Sequence, residues 1–330
     1  FSCKQKSKAS QKNSLYKSDF ESNWANVAQL ESKGLQGSLI QELNFILKKA
    51  IEEQNHPIIF KALAIRSKHL LQIEENAEPK IVESFHEAIS QSEPIGRSLL
   101  QSALAELYQQ YHSQFQHQIK DRSSLNDSSR KAINQMSAEE LLTLSDQLYL
   151  RSVNNIAELN DIPLSEYLDI LSLPKADSTY LKHFKVSDFL ANRALAHFEF
   201  RFDQNQLSEK ILAANSIFSP FEDFQNAELA GACIQSDLKS WVGILTEQLS
   251  LIEDEFGLLH YERYRLNTLK KWSTNDSALW LYEKALLNLH KKLKTAEYRD
   301  RILADLADLA HQSQQNAIKA LAICEKCEIE

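Results

Sequence analysis

The stretch Leu99–Tyr111 (LLQSALAELYQQY) constrains the fold more than any other part of the chain. Its apolar residues recur at intervals of three and four, which places them on one face of an α-helix. They are Leu99, Leu100, Ala103, Leu104, Leu107, Tyr108 and Tyr111. Ala103 and Ala105 are small enough to let neighbouring helices approach closely. We therefore predict a central helix against which several other helices pack.

The rest of the chain contains few residues that interrupt helices. Its 330 residues include 6 Gly and 6 Pro, which is well below average usage. Leu, Ala, Gln, Glu and Lys are abundant, so we predict long helices joined by short loops. No stretch has the about 18 consecutive apolar residues that typify a membrane span. We expect an all-α fold without a β-sheet, built as a right-handed stack of antiparallel helical hairpins that resembles a tetratricopeptide-type (TPR-like) α-solenoid.

Capping residues and prolines locate several helix ends. We predict a first helix over about Leu15–Ser32, ended by Gly34, because glycine suits the left-handed cap. Further along, Ser137-Ala-Glu-Glu140 fits a capping box, in which Glu140 reaches back to the start of its helix. Proline is well suited to the first helical turn, where its missing N–H is not needed. The prolines that we place there are Pro57, Pro79 and Pro94.

The C-terminal third continues the pattern of paired helices. We predict one helix over Ser236–Phe256, ended by Gly257, and further pairs after it. The segments Trp280–Leu286 and Ala317–Ala322 resemble helices of tetratricopeptide repeats, although no strict 34-residue period is present. We predict a disordered basic tether over 1–14, a helical-hairpin block over 15–200 and a second helical block with degenerate TPR-like repeats over 201–330.

The charge of the chain is unevenly distributed. Five lysines precede the first acidic residue, Asp19, and the remaining chain has 32 basic and 45 acidic residues. An acidic body argues against binding to a nucleic-acid backbone, which needs a clustered basic face. The basic tail is typical of a disordered leader, and its alternative role is a tether near an anionic surface. The lysines of the tail are Lys4, Lys6, Lys8, Lys12 and Lys17.

The cysteines suggest one modification site. Phe-Ser-Cys-Lys around Cys3 resembles the end of a lipobox, in which the cysteine becomes the lipidated first residue of a bacterial lipoprotein. Cys324 and Cys327 have CxxC spacing, but no second CxxC or His pair follows at the distance of a zinc site. We therefore predict that Cys324 packs in a helix face beside Leu321.

No catalytic motif was found in the sequence. It contains no glycine-rich phosphate loop, no HExxH and no GxSxG. His112 and His117 are five residues apart, which places them on different faces of a helix. We therefore expect no enzymatic activity, no cofactor, no metal site and no small-molecule substrate, since a fold of this kind does not itself imply chemistry.

The order of several segments is similar to the helical N-terminal region of large bacterial alpha-2-macroglobulin-like proteins. The most specific segment is Asp188-Phe-Leu-Ala-x-Arg-Ala-Leu195, and the resemblance covers residues 20–200 best. The earlier segments that carry it are Phe20-xxx-Trp24-xx-Val27-xx-Leu30, Lys33-Gly34-Leu35, Lys61-Ala62-Leu63-xx-Arg66 and Leu99-xx-Ser102-xx-Ala105-Glu106-Leu107-Tyr108.

The resemblance implies a non-catalytic module of a protease-trapping protein of the bacterial cell envelope. The thioester of that family needs Cys-Gly-Glu-Gln, which this chain lacks, and Cys233-Ile-Gln-Ser is no substitute. The implied role is a membrane-proximal spacer or a scaffold for protein partners, which include the remainder of the same polypeptide and a protease.

The implied location is the outer membrane, with a lipid on Cys3 as the anchor and the protein facing the periplasm or the surface. The alternative is a free-standing TPR-like adaptor lipoprotein that binds a protein partner on its concave face.

Overall fold

A computed structural model describes residues 20–120, 122, 132–167, 183–204, 215–224, 236–273, 276–313 and 315–327. All regular structure in these ranges is helical, and their one strand-like pairing is an isolated antiparallel bridge between Pro163 and Lys185. The all-α prediction is therefore confirmed for this part of the chain. Cys3, Cys233, the 1–14 tether and the predicted helix start at Leu15 lie outside the described residues.

The described residues form two compact units. Unit 1 draws on Phe1–Asn155 and Leu164–Ala176, and unit 2 on Ile156–Pro163 and Asp177–Glu330. In unit 1, each helix packs against the next one along the chain. Its helices are α1 (20–32), α2 (Gln36–Glu52), α3 (His56–Ile73), α4 (Glu78–Gln91), α5 (Pro94–Ile119) and α6 (Ala138–Val153), with short 3-10 turns at Ile133–Gln135 and Leu164–Tyr167.

The predicted helix ends of unit 1 are confirmed. Gly34 has a φ of +67°, and the N–H of Leu35 donates to the carbonyl of Leu30, which closes the end of α1. Ser137 and Glu140 form the capping box, with hydrogen bonds of 3.3 and 2.7 Å. Each of the three prolines lies in the first turn of its helix.

Helix α5 is the longest of unit 1 and packs against α3, α4 and α6, in agreement with the central position predicted for it. Leu99, Leu100, Leu104 and Tyr108 are buried, whereas Ala103, Leu107 and Tyr111 are only partly buried. The buried face also contains small polar residues, because α6 approaches the α5 backbone closely. In this contact the hydroxyl of Ser145 donates to the carbonyl of Ala105 at 2.8 Å, and both residues are buried.

Unit 2 continues the pairing of consecutive helices from α10 onward, and α10 also packs against α8. Its described helices are α7 (Ile156–Leu159), α8 (Val186–Gln204), α9 (Phe221–Phe224), α10 (Ser236–Ser250), α11 (Glu255–Trp272), α12 (Asp276–Lys292), α13 (Ala296–Asp308) and α14 (Ala317–Cys324), with a 3-10 turn at Asn215–Phe218 and a π-helical turn at Leu309–Ser313.

The prediction of one helix over Ser236–Phe256 is wrong. Helix α10 ends at Ser250, and α11 begins at Glu255. Asp254 caps α11 by accepting the N–H of Gly257 at 2.7 Å, so Gly257 lies in a first turn and not after a last one. The apolar pattern runs across the break because both helices bury their faces, and the pattern therefore did not show where one ends.

A buried arginine fixes the segment 215–224 on α11. The guanidinium of Arg265 pairs with Glu262 at 2.7 Å and donates to the carbonyls of Ile217 and Ser219 at 2.9 and 3.0 Å. It also lies over the ring of Phe224, with Cζ 4.7 Å from the ring centroid. A buried charge needs this many partners, because its desolvation is costly without them.

Helices α3 and α5 approach each other closely where His56 lies over Gly96. A Cβ built on Gly96 would lie 2.2 Å from Nδ1 of His56 and 2.9 Å from its Cγ. Because these distances are far below van der Waals contact and Nδ1 of His56 is buried, the imidazole would have to shift to admit a methyl group. Glycine at position 96 is therefore a packing requirement and not a conformational one.

We expect the substitution Gly96→Ala to destabilise unit 1 by about 1–3 kcal/mol, the usual cost of overpacking. Gly37→Ala is the matched control, because Gly37 also lies in the first turn of a helix in unit 1 but has open space around it. Alanine there should be neutral or stabilising by up to about 1 kcal/mol. Urea unfolding of the two variants measures both effects, and equal midpoints would contradict the packing argument.

Candidate functional site

The main candidate site is a cleft within unit 2 with a volume of about 130 Å³. It is lined by the start of α8, the end of α10, the link 251–254 and the start of α11. The lining combines carboxylates, aromatic rings and amides, which is the mixture found in binding sites for polar groups. The residues used below are Asp188, Gln248, Asp254, Phe256, His260 and His183.

Asp188 is the polar centre of this cleft. Its Oδ2 accepts the backbone N–H of Lys185 at 2.7 Å, which satisfies one donor at the start of α8. Its Oδ1 accepts the amide of Gln248 and the hydroxyl of Tyr261, both at 2.7 Å. One carboxylate thereby joins α8, α10 and α11.

Tyr261 acts as a permanent hydrogen-bond donor to Asp188. Burial raises the pKa of its phenol well above the ordinary value, and the negative charge of Asp188 raises this pKa further. Both effects disfavour the phenolate. The hydroxyl therefore keeps its proton at neutral pH, and the link between α11 and α8 is maintained.

Within the described chain, only one of the two polar atoms in the Gln248 side chain has a hydrogen-bond partner. The residue is 2% exposed, and its Nε2 donates to Asp188, but its Oε1 has no hydrogen-bond partner among the described residues. A buried acceptor without a partner costs about 1–3 kcal/mol. An amide held in this way is a ready acceptor for an incoming N–H or O–H group.

Aromatic rings form one side of the cleft. Phe256 stacks on His183 with a centroid distance of 4.8 Å and an interplanar angle of 25°. Phe184 contacts both Phe256 and His260 edge-on, at 5.3 and 5.1 Å. At the rim, Nδ1 of His183 lies 3.9 Å from the carboxylate of Asp254.

His260 is held as a neutral imidazole at pH 7. Burial lowers its pKa, and Arg263 lowers it further, whereas the charge of Asp188 acts in the opposite direction. Its Nε2 lies 3.2 Å from Oδ1 of Asn192. Because burial is the largest effect, the neutral form is favoured, and the ring contributes a hydrogen bond and a flat surface but no charge.

The structure places only one residue of the sequence motifs in this cleft, namely Asp188 from the segment Asp188–Leu195. Gln248, His260 and Tyr261 were missed. One feature of the sequence could have indicated the cleft. Gln248 is polar, although the spacing of Trp241 and Leu245 in α10 predicts an apolar core residue at its position.

The cysteine predictions have separate outcomes. Cys324 and Cys327 are both free and exposed, so the prediction that Cys324 packs in a helix face is wrong. Its predicted neighbour Leu321 is exposed as well, because the outer face of α14 has no helix on it in the described chain. No set of three or more His, Cys, Asp or Glu suited to a metal ion occurs among the described residues.

None of the helices within the described ranges is long and apolar enough to span a bilayer. Comparisons of the chain with known protein families, with curated proteins and with solved structures found no match.

The cleft predicts a dependence of stability on pH. Because the pKa of His260 in the folded chain lies below its ordinary value of 6.5, the unfolded chain binds protons more readily as the pH falls below about 6.5. Unit 2 should therefore lose stability between pH 7 and pH 5, and His260→Gln should reduce this loss. Urea midpoints measured across this range test the expectation.

His311→Gln is the control, because it removes one imidazole from an exposed position of the same unit. If the stability of His260→Gln fell with pH as steeply as that of the unsubstituted protein, the role assigned to the burial of His260 would be contradicted.

Proposed function

We propose that this chain is a non-catalytic helical module that binds protein, and that it serves as the N-terminal region of an alpha-2-macroglobulin-like protease-trapping protein of the bacterial envelope. In this proposal the bait and thioester regions lie outside the chain. The observation that carries it is the apolar outer face of α14, where Ile318 is 84% exposed and Leu321 is 63% exposed. A helix with such a face needs a protein neighbour to cover it.

We also propose that the helices form a right-handed, TPR-like stack of hairpins. In support, α14 packs on α13 and is also joined to α12 by a 2.6 Å ion pair between Lys319 and Glu283. Contact of a helix with both members of the preceding pair is typical of stacked hairpins. The repeats are longer than the 34 residues of a tetratricopeptide, since α11 and α13 begin 41 residues apart, at Glu255 and Ala296.

The proposed neighbour of α14 is a further part of the same polypeptide, because the resemblance places larger domains after the helical region. Ile318 has the largest exposed fraction of the large apolar side chains described in unit 2, and the last helix of a stack needs a cap or a successor. A free-standing adaptor is the second candidate, with a separate protein on the same face. A stop codon directly after Glu330 would favour the adaptor and contradict the first proposal.

Hydrogen exchange tests the proposed neighbour. Backbone amides of α14 should exchange at least about tenfold more slowly in the longer encoded polypeptide than in the isolated chain, because docking of a neighbour suppresses local opening. The double substitution Ile318→Ser and Leu321→Ser should abolish this protection. It should leave the stability of the isolated chain within about 0.5 kcal/mol, since both side chains are already exposed.

Phe45→Ser is the matched control, because it removes an exposed apolar side chain from unit 1. Equal exchange of α14 in the two polypeptides would overturn the proposal.

Attachment to the outer membrane through Cys3 is a further part of the proposal. One lipid chain gives weak, reversible binding, and adjacent basic residues strengthen it. The mature protein should therefore begin at Cys3 and carry a lipid mass on it, which mass spectrometry of the native N-terminus will detect. Cys3→Ser should release the protein from the membrane fraction, and a free Phe-Ser-Cys end would exclude the lipoprotein assignment.

A further inference from the structure

The cleft of unit 2 carries more negative than positive charge. It is lined by the carboxylates of Asp188, Glu253 and Asp254, against one ammonium group, that of Lys185. Asp188 already accepts three hydrogen bonds. Glu253 and Asp254 are exposed at the rim, so their charges remain available to a cation that enters from solvent.

The second observation is the unpartnered acceptor of Gln248. This side chain lines the cleft, is almost completely buried and has one amide oxygen without a donor. A ligand with N–H groups would supply the missing donor. A ligand with only acceptor groups would leave Oε1 unpaired and would meet the rim carboxylates with like charge.

The aromatic wall adds a preference for a flat group. Within the chain itself, the face of Phe256 and the carboxylate of Asp254 already hold one flat ring, that of His183. Phe256 itself is buried, at 6% exposure, so the ring that solvent reaches is that of His183, whose side chain is 42% exposed. A planar cation with several donors can stack on this ring beside the carboxylate of Asp254. The cleft volume of about 130 Å³ is well above the about 10–15 Å³ that a single water requires, so a guanidinium group, with four heavy atoms, fits in it.

We propose that the cleft between α8, α10 and α11 binds the guanidinium group of an arginine side chain presented by a protein partner. The rim carboxylates attract the cation, the ring of His183 provides the stacking surface, and Gln248 Oε1 accepts one N–H. The recognition chemistry is independent of whether further domains follow the chain, because a single arginine side chain is enough to occupy the cleft.

The test uses N-acetyl-arginine amide as the probe and N-acetyl-citrulline amide as its uncharged isostere. Titration of the isotope-labelled chain, followed by NMR, should give a dissociation constant on the order of 1 mM for the arginine probe, as is usual for so small a ligand. The shifted signals should cluster at the Gln248 side-chain amide and the Gly257 backbone amide. The citrulline probe should bind at least about tenfold more weakly.

Two double variants separate the cleft from general charge effects. Glu253→Gln with Asp254→Asn should weaken arginine binding about fivefold, the size expected from two rim charges. It should leave the fold intact, because asparagine also caps helices. Asp308→Asn with Glu325→Gln removes two charges from exposed positions elsewhere in unit 2 and should leave binding unchanged.

Equal binding of the two probes, equal effects of the two double variants, or shifted signals outside the cleft would each overturn the proposal. None of these results would bear on the role proposed for α14, because that role depends on a different surface. Likewise, slow exchange of α14 in the longer polypeptide would neither support nor contradict arginine binding in the cleft.

Discussion

The short links between helices are the constraint on which the rest of this structure depends. Three residues separate α2 from α3, and two separate α4 from α5. A chain that turns so quickly must lay each helix beside the one before it, and the apolar faces then cover each other. A polar group buried between two such helices needs a hydrogen-bond partner in the protein, since water does not reach it. The partner lies either in the same helix, as for Ser152 and Tyr149, or in the neighbouring one.

Three polar side chains between helices meet this requirement in different ways; Ser145 and Gln248 are buried, and Asp188 is partly buried. Ser145 donates to a backbone carbonyl and lets α5 and α6 approach closely. Asp188 joins three helices by accepting donors from each of them. Gln248 meets the requirement with only one of its two polar atoms. Buried atoms without a partner occur elsewhere in the described chain as well, such as Nε1 of Trp24 and Nδ1 of His56, but in the cleft such an atom lies beside exposed carboxylates.

Much of the helical framework could be predicted from the sequence, because helix ends depend on local chemistry. The glycine after α1, the three prolines and the capping box at Ser137 act through their own backbone neighbours, and they lie where the pattern placed them. The break at Asp254 was not predicted, since an apolar face that continues from one helix to the next hides the end of the first. The buried face of α5 was predicted only in part, because the approach of α6 selects small polar residues as well as apolar ones.

The cleft could be predicted much less well than the framework. Only Asp188 belongs to a motif that the sequence singles out. Its donors Gln248 and Tyr261 are 60 and 73 residues away along the chain. Such contacts depend on how α8, α10 and α11 come together, and no local pattern encodes that arrangement. A polar residue inside an apolar stripe, as Gln248 is, was the one local sign.

The buried Arg265 has a consequence for how the segment 215–224 can move. Its guanidinium is shared among Ile217, Ser219, Glu262 and the ring of Phe224. If one carbonyl left, a positive charge would remain in apolar surroundings without full compensation, and this penalty opposes any partial departure. We therefore expect the segment to leave α11 as a unit rather than residue by residue.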